Sequence, residues 1–138
     1  MSRKRPTAGA AAADPDAARL TELEARINRE PAAAEAYLEM AAILSRRREP
    51  DMAAQILRAG LAQAPRHLGL LTNLGGLLAA GDKPEEGIDY LRQVVERMPR
   101  SYLGHFNLAI GLKTAGDGSL SVDKAIESLL TRPIGAEV

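Results

Sequence analysis

A chain of 138 residues with 46% hydrophobic side chains can build one domain-sized core, and its 18 basic and 18 acidic residues cancel, which excludes the broad positive field of a dedicated nucleic-acid binder. The absence of cysteine excludes a disulfide framework, thiol catalysis and thiolate metal sites, while 3% aromatic residues without tryptophan exclude a stacking platform for bases or sugars. No stretch approaches the roughly 18 apolar residues of a membrane span, and the cytoplasm is the expected compartment.

In chain order, Arg3, Lys4 and Arg5 precede Pro6 and an alanine-rich run over 8–13 that is too short for a signal-peptide core. Residues 1–15 therefore read as a disordered basic arm, and 16–30 as a capping helix. Beyond it, prolines fall at 31, 65, 99 and 133, a constant spacing of 34 residues. Such a period marks an architecture of stacked repeats. Superposed on that period, Tyr37, Met40, Ala41 and Leu44 coincide with Leu71, Leu74, Gly75 and Leu78, and again with His105, Leu108, Ala109 and Leu112. Likewise Ala53, Leu57 and Gly60 coincide with Gly87, Leu91 and Val94.

A small residue at helical spacing from large ones lets a neighbouring helix approach closely, so each unit reads as a pair of antiparallel helices. Breaks at 46–51, 80–84 and 115–121 carry Gly, Pro or charge and separate the helices within a unit. The expected helices are 16–29, 34–47, 51–63, 68–80, 84–97, 102–115 and 122–131. They form three hairpins, 34–67, 68–101 and 102–132, followed by a tail over 133–138.

This pattern resembles the tetratricopeptide repeat, whose 34-residue unit reads W-x2-L-G-x2-Y, then A-x3-F-x2-A, then P. Tyr37 stands for the aromatic residue, Met40-Ala41, Leu74-Gly75 and Leu108-Ala109 for the Leu-Gly pair, and Ala53 and Gly87 for the small residue of the second helix. The third unit departs from the pattern, because its small residue is Ala125 where the period falls on Ser121. Asp16 to Glu30 resembles the second helix of a degenerate leading unit, with Arg19 at the small-residue position. The resemblance implies an all-α, right-handed superhelical solenoid.

No arrangement of residues spells out an enzyme. His67 and His105 sit in different units without a carboxylate or hydroxyl partner at relay spacing, and His105 occupies the packed position of Tyr37 and Leu71. Glu22, Glu24, Glu85 and Glu86 read as solvated acids near helix starts. Gly75-Gly76 and Gly116-Asp117-Gly118 lack the strand-to-helix context of a phosphate loop and read as close packing and a turn. Catalytic residues, a metal site and a cofactor are accordingly not expected.

In the resembled family the first helices of the hairpins line a concave groove that accepts an extended peptide or a partner helix. By that resemblance the groove is lined by Glu35, Leu38, Ala42 and Arg46, by Thr72, Asn73 and Gly76, and by Leu103, Phe106, Asn107, Ile110 and Lys113. Asn73 and Asn107 lie one period apart, and an amide both donates to and accepts from a bound backbone. Some family members clamp a terminal carboxylate, but Leu38, Ala42, Leu103 and Asn107 stand where Lys, Asn, Lys and Arg are needed. The apolar lining suits an amphipathic helix or apolar peptide.

At the carboxy-terminal edge, Val122, Ile126 and Leu130 form an apolar strip, expected to meet a second copy or a larger partner. The reading is of a non-catalytic adaptor or assembly subunit with a protein or peptide partner. The alternative is an accessory protein that touches nucleic acid or another anionic surface through Arg3 to Arg5 and Arg46 to Arg48. Steep salt dependence separates that alternative from apolar binding.

Overall fold

The structure, a computed structural model, describes residues 14–116. It contains the helices α1 (Pro15–Arg29), α2 (Ala34–Arg46), α3 (Pro50–Gln63), α4 (Leu68–Ala79), α5 (Pro84–Arg97) and α6 (Tyr102–Ala115). No strand occurs among the described residues. Every one of these helices begins and ends within one residue of its sequence expectation. The helix expected over 122–131, the edge residues Val122, Ile126 and Leu130, and the basic residues Arg3, Lys4 and Arg5 lie outside the described residues.

Local chemistry sets the helix ends. Pro15, Pro50 and Pro84 each open a helix, where the backbone N–H that proline lacks has no intrahelical acceptor to reach. Asp14 Oδ1 accepts from the Ala17 N–H at 3.2 Å, His67 Nδ1 from Leu70 at 3.2 Å, and Ser101 Oγ from Gly104 at 3.0 Å. His67 thus acts as the N-terminal cap of α4. α6 ends on Gly116 at φ 77°, a left-handed conformation that costs glycine little. In the α2–α3 turn the left-handed position falls on Arg48, at φ 62°.

The chain divides into two compact units between Gln63 and Ala64. In the first, α2 packs against both α1 and α3. Leu23 of α1 is buried with Ala36 and Ile43 of α2, and Leu20, Ile27, Ala33 and Met40 flank them. Tyr37, Ala41 and Leu44 on α2 and Ala53, Leu57 and Gly60 on α3 are buried as the repeat demands. In the second unit α4, α5 and α6 pack mutually around Ala79, Ile88, Leu91, Leu108 and Leu112.

The interlock of small and large residues is direct in this second unit. A Cβ on Gly75 would lie 2.7 Å from Leu91 Cγ, and one on Gly87 would lie 2.5 Å from the Ala79 nitrogen and 2.6 Å from the Gly75 oxygen. α4 and α5 therefore touch backbone to backbone, with Leu91 filling the space over Gly75. Gly111 performs the same service for α6, since its missing Cβ would sit 3.0 Å from both Ala79 Cβ and Ile88 Cγ1. Each fully buried leucine contributes about 1.5–3 kcal/mol of apolar burial.

Candidate functional site

α6 presents two unlike arcs. One arc of the helix, Gly104, His105, Leu108, Ala109, Gly111 and Leu112, is buried. A surface helix normally turns charged and polar residues outward on the opposite arc. Here that arc carries Tyr102, Leu103 and Phe106, which are 63%, 54% and 48% exposed. Ile110, half-buried, continues the strip, and Lys113 ends it as an exposed ammonium. The Tyr102 and Phe106 rings, one helical turn apart, stack with centroids 6.0 Å apart and planes inclined by 22°.

α4 borders this strip through a close contact. A Cβ on Gly76 would lie 2.6 Å from Asn107 Nδ2, so glycine at this position admits the amide of Asn107 against the α4 backbone. Asn107 is half-buried there. Asn73 is exposed, but its amide nitrogen donates to its own helix at Gly69 O over 2.8 Å. Thr72 likewise donates to Leu68 O at 2.8 Å. Of the expected lining residues of this unit, Thr72 and Asn73 are therefore partly occupied by their own helix, whereas Leu103, Phe106, Asn107 and Ile110 are brought onto one arc of α6.

The expected lining residues of α2 belong to the first unit. Leu38 is half-buried and Ala42 exposed. Arg46 is drawn back to α1, where its Nη2 lies 3.1 Å from Asp16 Oδ1. Arg47 faces Glu49 at 3.7 Å, so two of the three arginines in the run 46–48 already have a carboxylate beside them. A further lock joins the same two helices: Arg19 donates to both oxygens of Glu39, at 2.6 and 2.8 Å, and to Glu22 at 2.9 Å. Hydrogen bonding to Arg19 holds the Glu39 carboxyl below the usual carboxylate range, and the same contacts raise Arg19 further.

The imidazole of His105 is structural. It is buried, and its Nε2 donates to Pro99 O at 2.8 Å. Two periods earlier the Tyr37 hydroxyl donates to Pro31 O at 2.7 Å. One position of the repeat thus uses two different side chains to satisfy the same proline carbonyl. Among the described residues no three His, Asp or Glu side chains converge as a metal site, and no helix is long and apolar enough to cross a membrane.

Tyr102, Met98 at 46% exposure and Met52 at 47% are the large apolar surface residues among the described ones that sequence reasoning missed. Tyr102 opens its helix where Ala34 and Leu68 open theirs, a position that reads as a helix start. Its spacing of four residues from Phe106 was the available signal, since such pairs meet on a helix surface.

No protein-family model matches the sequence, and no curated protein does. Solved structures do. The chain superposes on a MamA protein with a TM-score of 0.70 at 14% identity, over 80% of this chain and 60% of that one. A MamA double mutant gives a TM-score of 0.68 at 19% identity, over 80% and 62%. A variant O-GlcNAc transferase of Thermobaculum terrenum gives 0.56 at 25% identity, over 70% of this chain and 22% of the enzyme. That last similarity is confined to the tetratricopeptide region of the transferase. The chain spans about three fifths of the length of these MamA structures. Together they establish the fold as that of tetratricopeptide-type helical hairpins.

Proposed function

We propose that this chain, with its tetratricopeptide-type fold, is a non-catalytic protein-interaction module that receives an apolar segment of a partner protein on the outward arc of α6. The observation that carries the reading is the exposure of Tyr102, Leu103 and Phe106 side by side on one helix. Water contact over such a patch is unfavourable, and patches of this kind mark sites of association. Asn107 adds an amide that can donate and accept at the edge of the strip. Contact with an anionic surface through Arg46 to Arg48 is less well supported, because Asp16 and Glu49 compete for two of the three side chains.

The test begins with recovery of the partner from native extract by affinity capture and mass spectrometry. Replacement of Phe106 by Ala then weakens the recovered complex by more than about 1 kcal/mol, as loss of an aromatic anchor commonly does. Circular dichroism stays native, since the side chain is half exposed. Unchanged affinity in a folded variant overturns the assignment of this face. Binding that collapses between low and moderate salt instead favours the anionic alternative.

A further inference from the structure

The charges around the apolar strip specify its occupant more narrowly. α4 carries no charged residue along its whole length, and α6 carries one, Lys113. Lys113 follows Phe106 by seven residues, two turns of the same arc, which places it about 10 Å further along the axis. Among the described residues no carboxylate forms an ion pair with its ammonium. The strip is therefore apolar at its amino-terminal end and singly positive at its carboxy-terminal end.

Its size argues against a second copy of the chain as the occupant. Fully buried aromatic side chains contribute roughly 150–250 Å² each, so three half-exposed groups offer on the order of 300 Å², well short of the roughly 800 Å² per partner in a standard interface. The polar groups argue against an extended strand. A strand brings a row of backbone donors and acceptors that need partners, whereas the amide nitrogen of Asn73 is already engaged by Gly69. A helix satisfies its own backbone and needs only an apolar face.

We infer that the strip takes a short amphipathic helix whose apolar anchor packs on Phe106 and whose acidic side chain, two turns away on the same face, pairs with Lys113. This inference rests on the binding face proposed above and adds the identity of the ligand. The probe is a phage-displayed, helix-biased library of 16-residue peptides, panned on the full chain and on its Phe106→Ala and Lys113→Glu variants. The enriched peptides carry Leu or an aromatic residue with Asp or Glu seven positions away. Panning on Lys113→Glu turns that position to Lys or Arg while the anchor is kept. The acidic peptides bind Lys113→Glu about three- to tenfold more weakly, the order expected when an exposed ion pair becomes a like-charge contact. Peptides that depend on Phe106 but show no charge preference overturn the inference and leave the binding face standing. Enrichment that ignores Phe106→Ala, or no enrichment at all, overturns both.

Discussion

The hairpins α2–α3 and α4–α5 share a period but not the small residues that mark it. At the two positions where the repeat requires small residues, the first carries Ala41 and Ala53 and the second Gly75 and Gly87. The two glycines let α4 and α5 meet at backbone distance, whereas the matching positions of α2 and α3 carry methyl groups. Glycine in a helix interior costs about 1 kcal/mol relative to alanine, and the close fit of Leu91 and Ala79 offsets it. The first unit spends its charge differently, tying α1 to α2 through Arg19–Glu39 and Arg46–Asp16. Held by ion pairs, α1 turns polar residues to solvent. The second unit, with no charge on α4 and one on α6, exposes Met98, Tyr102, Leu103 and Phe106, whereas the first exposes Met52. Charge distribution, more than the repeat itself, thus distinguishes the surfaces of the two units.

The largest effect belongs to the core of the second unit. Leu74 is fully buried on α4, and Leu74→Ala is expected to cost about 2–5 kcal/mol in urea denaturation. A loss below about half a kcal/mol contradicts its core position. Next comes the difference between the hairpins. Gly87→Ala drives a methyl into the α4 backbone and is expected to cost at least about 1–3 kcal/mol, with the near-ultraviolet spectrum disturbed. Ala53→Gly, the reverse change at the matching position, is expected to cost only about 1 kcal/mol through helix propensity. Equal losses at the two sites would show that the hairpins are spaced alike.

Much of this fold was legible because the repeat writes itself in residue size. The period placed Leu57, Leu71, Leu74 and Leu91 in the core, and all four are buried. It also placed His105 in a packed position, although the proline carbonyl that makes an imidazole acceptable there emerges only from the folded turn. The candidate site was half legible. Leu103 and Phe106 came with the resemblance to the repeat family, but whether an amide lies against a neighbouring helix or donates to its own depends on a rotamer, and Asn73 and Asn107 differ in that respect. Arg19 was read as a departure from the repeat. Its partner Glu39 lies twenty residues on in another helix, and no local pattern announces such a pair.

A smaller effect sharpens the comparison at the helix starts. Ala33, His67 and Ser101 occupy one position of the repeat, yet only His67 and Ser101 offer a side-chain acceptor. Ala33 has φ −75° and ψ 85°, close to the −72° and 105° of Ser101, so a serine there can adopt the capping geometry. Ala33→Ser is expected to stabilise the first unit by about 0.5–1 kcal/mol, and Ser101→Ala to weaken the second by a similar amount. A destabilised Ala33→Ser variant would mean that its methyl contact with the α1–α2 core outweighs the cap.

The smallest expected effect concerns the charges that distinguish the first unit, and its sign is fixed by the carboxylate. Hydrogen bonding to Arg19 lowers Glu39 below its ordinary value, so the folded state binds this proton less readily than the unfolded chain does. The resulting stabilisation is full above the unfolded carboxylate value of about 4.3 and is lost as pH falls through the lowered folded value. Arg19 stays protonated throughout and contributes no pH dependence in that window. Both side chains are half exposed, so solvent and salt screen the pair and keep its contribution small. Hydrogen exchange of the α1 amides reads it directly. Opening of α1 is expected to increase as pH falls below the ordinary carboxylate value of about 4.3, once intrinsic exchange rates are corrected for. Added salt at neutral pH should produce the same change, and Glu39→Gln should remove most of the acid-induced part. If Glu39→Gln retains the full acid response, the Arg19–Glu39 pair is not what fastens α1 to α2.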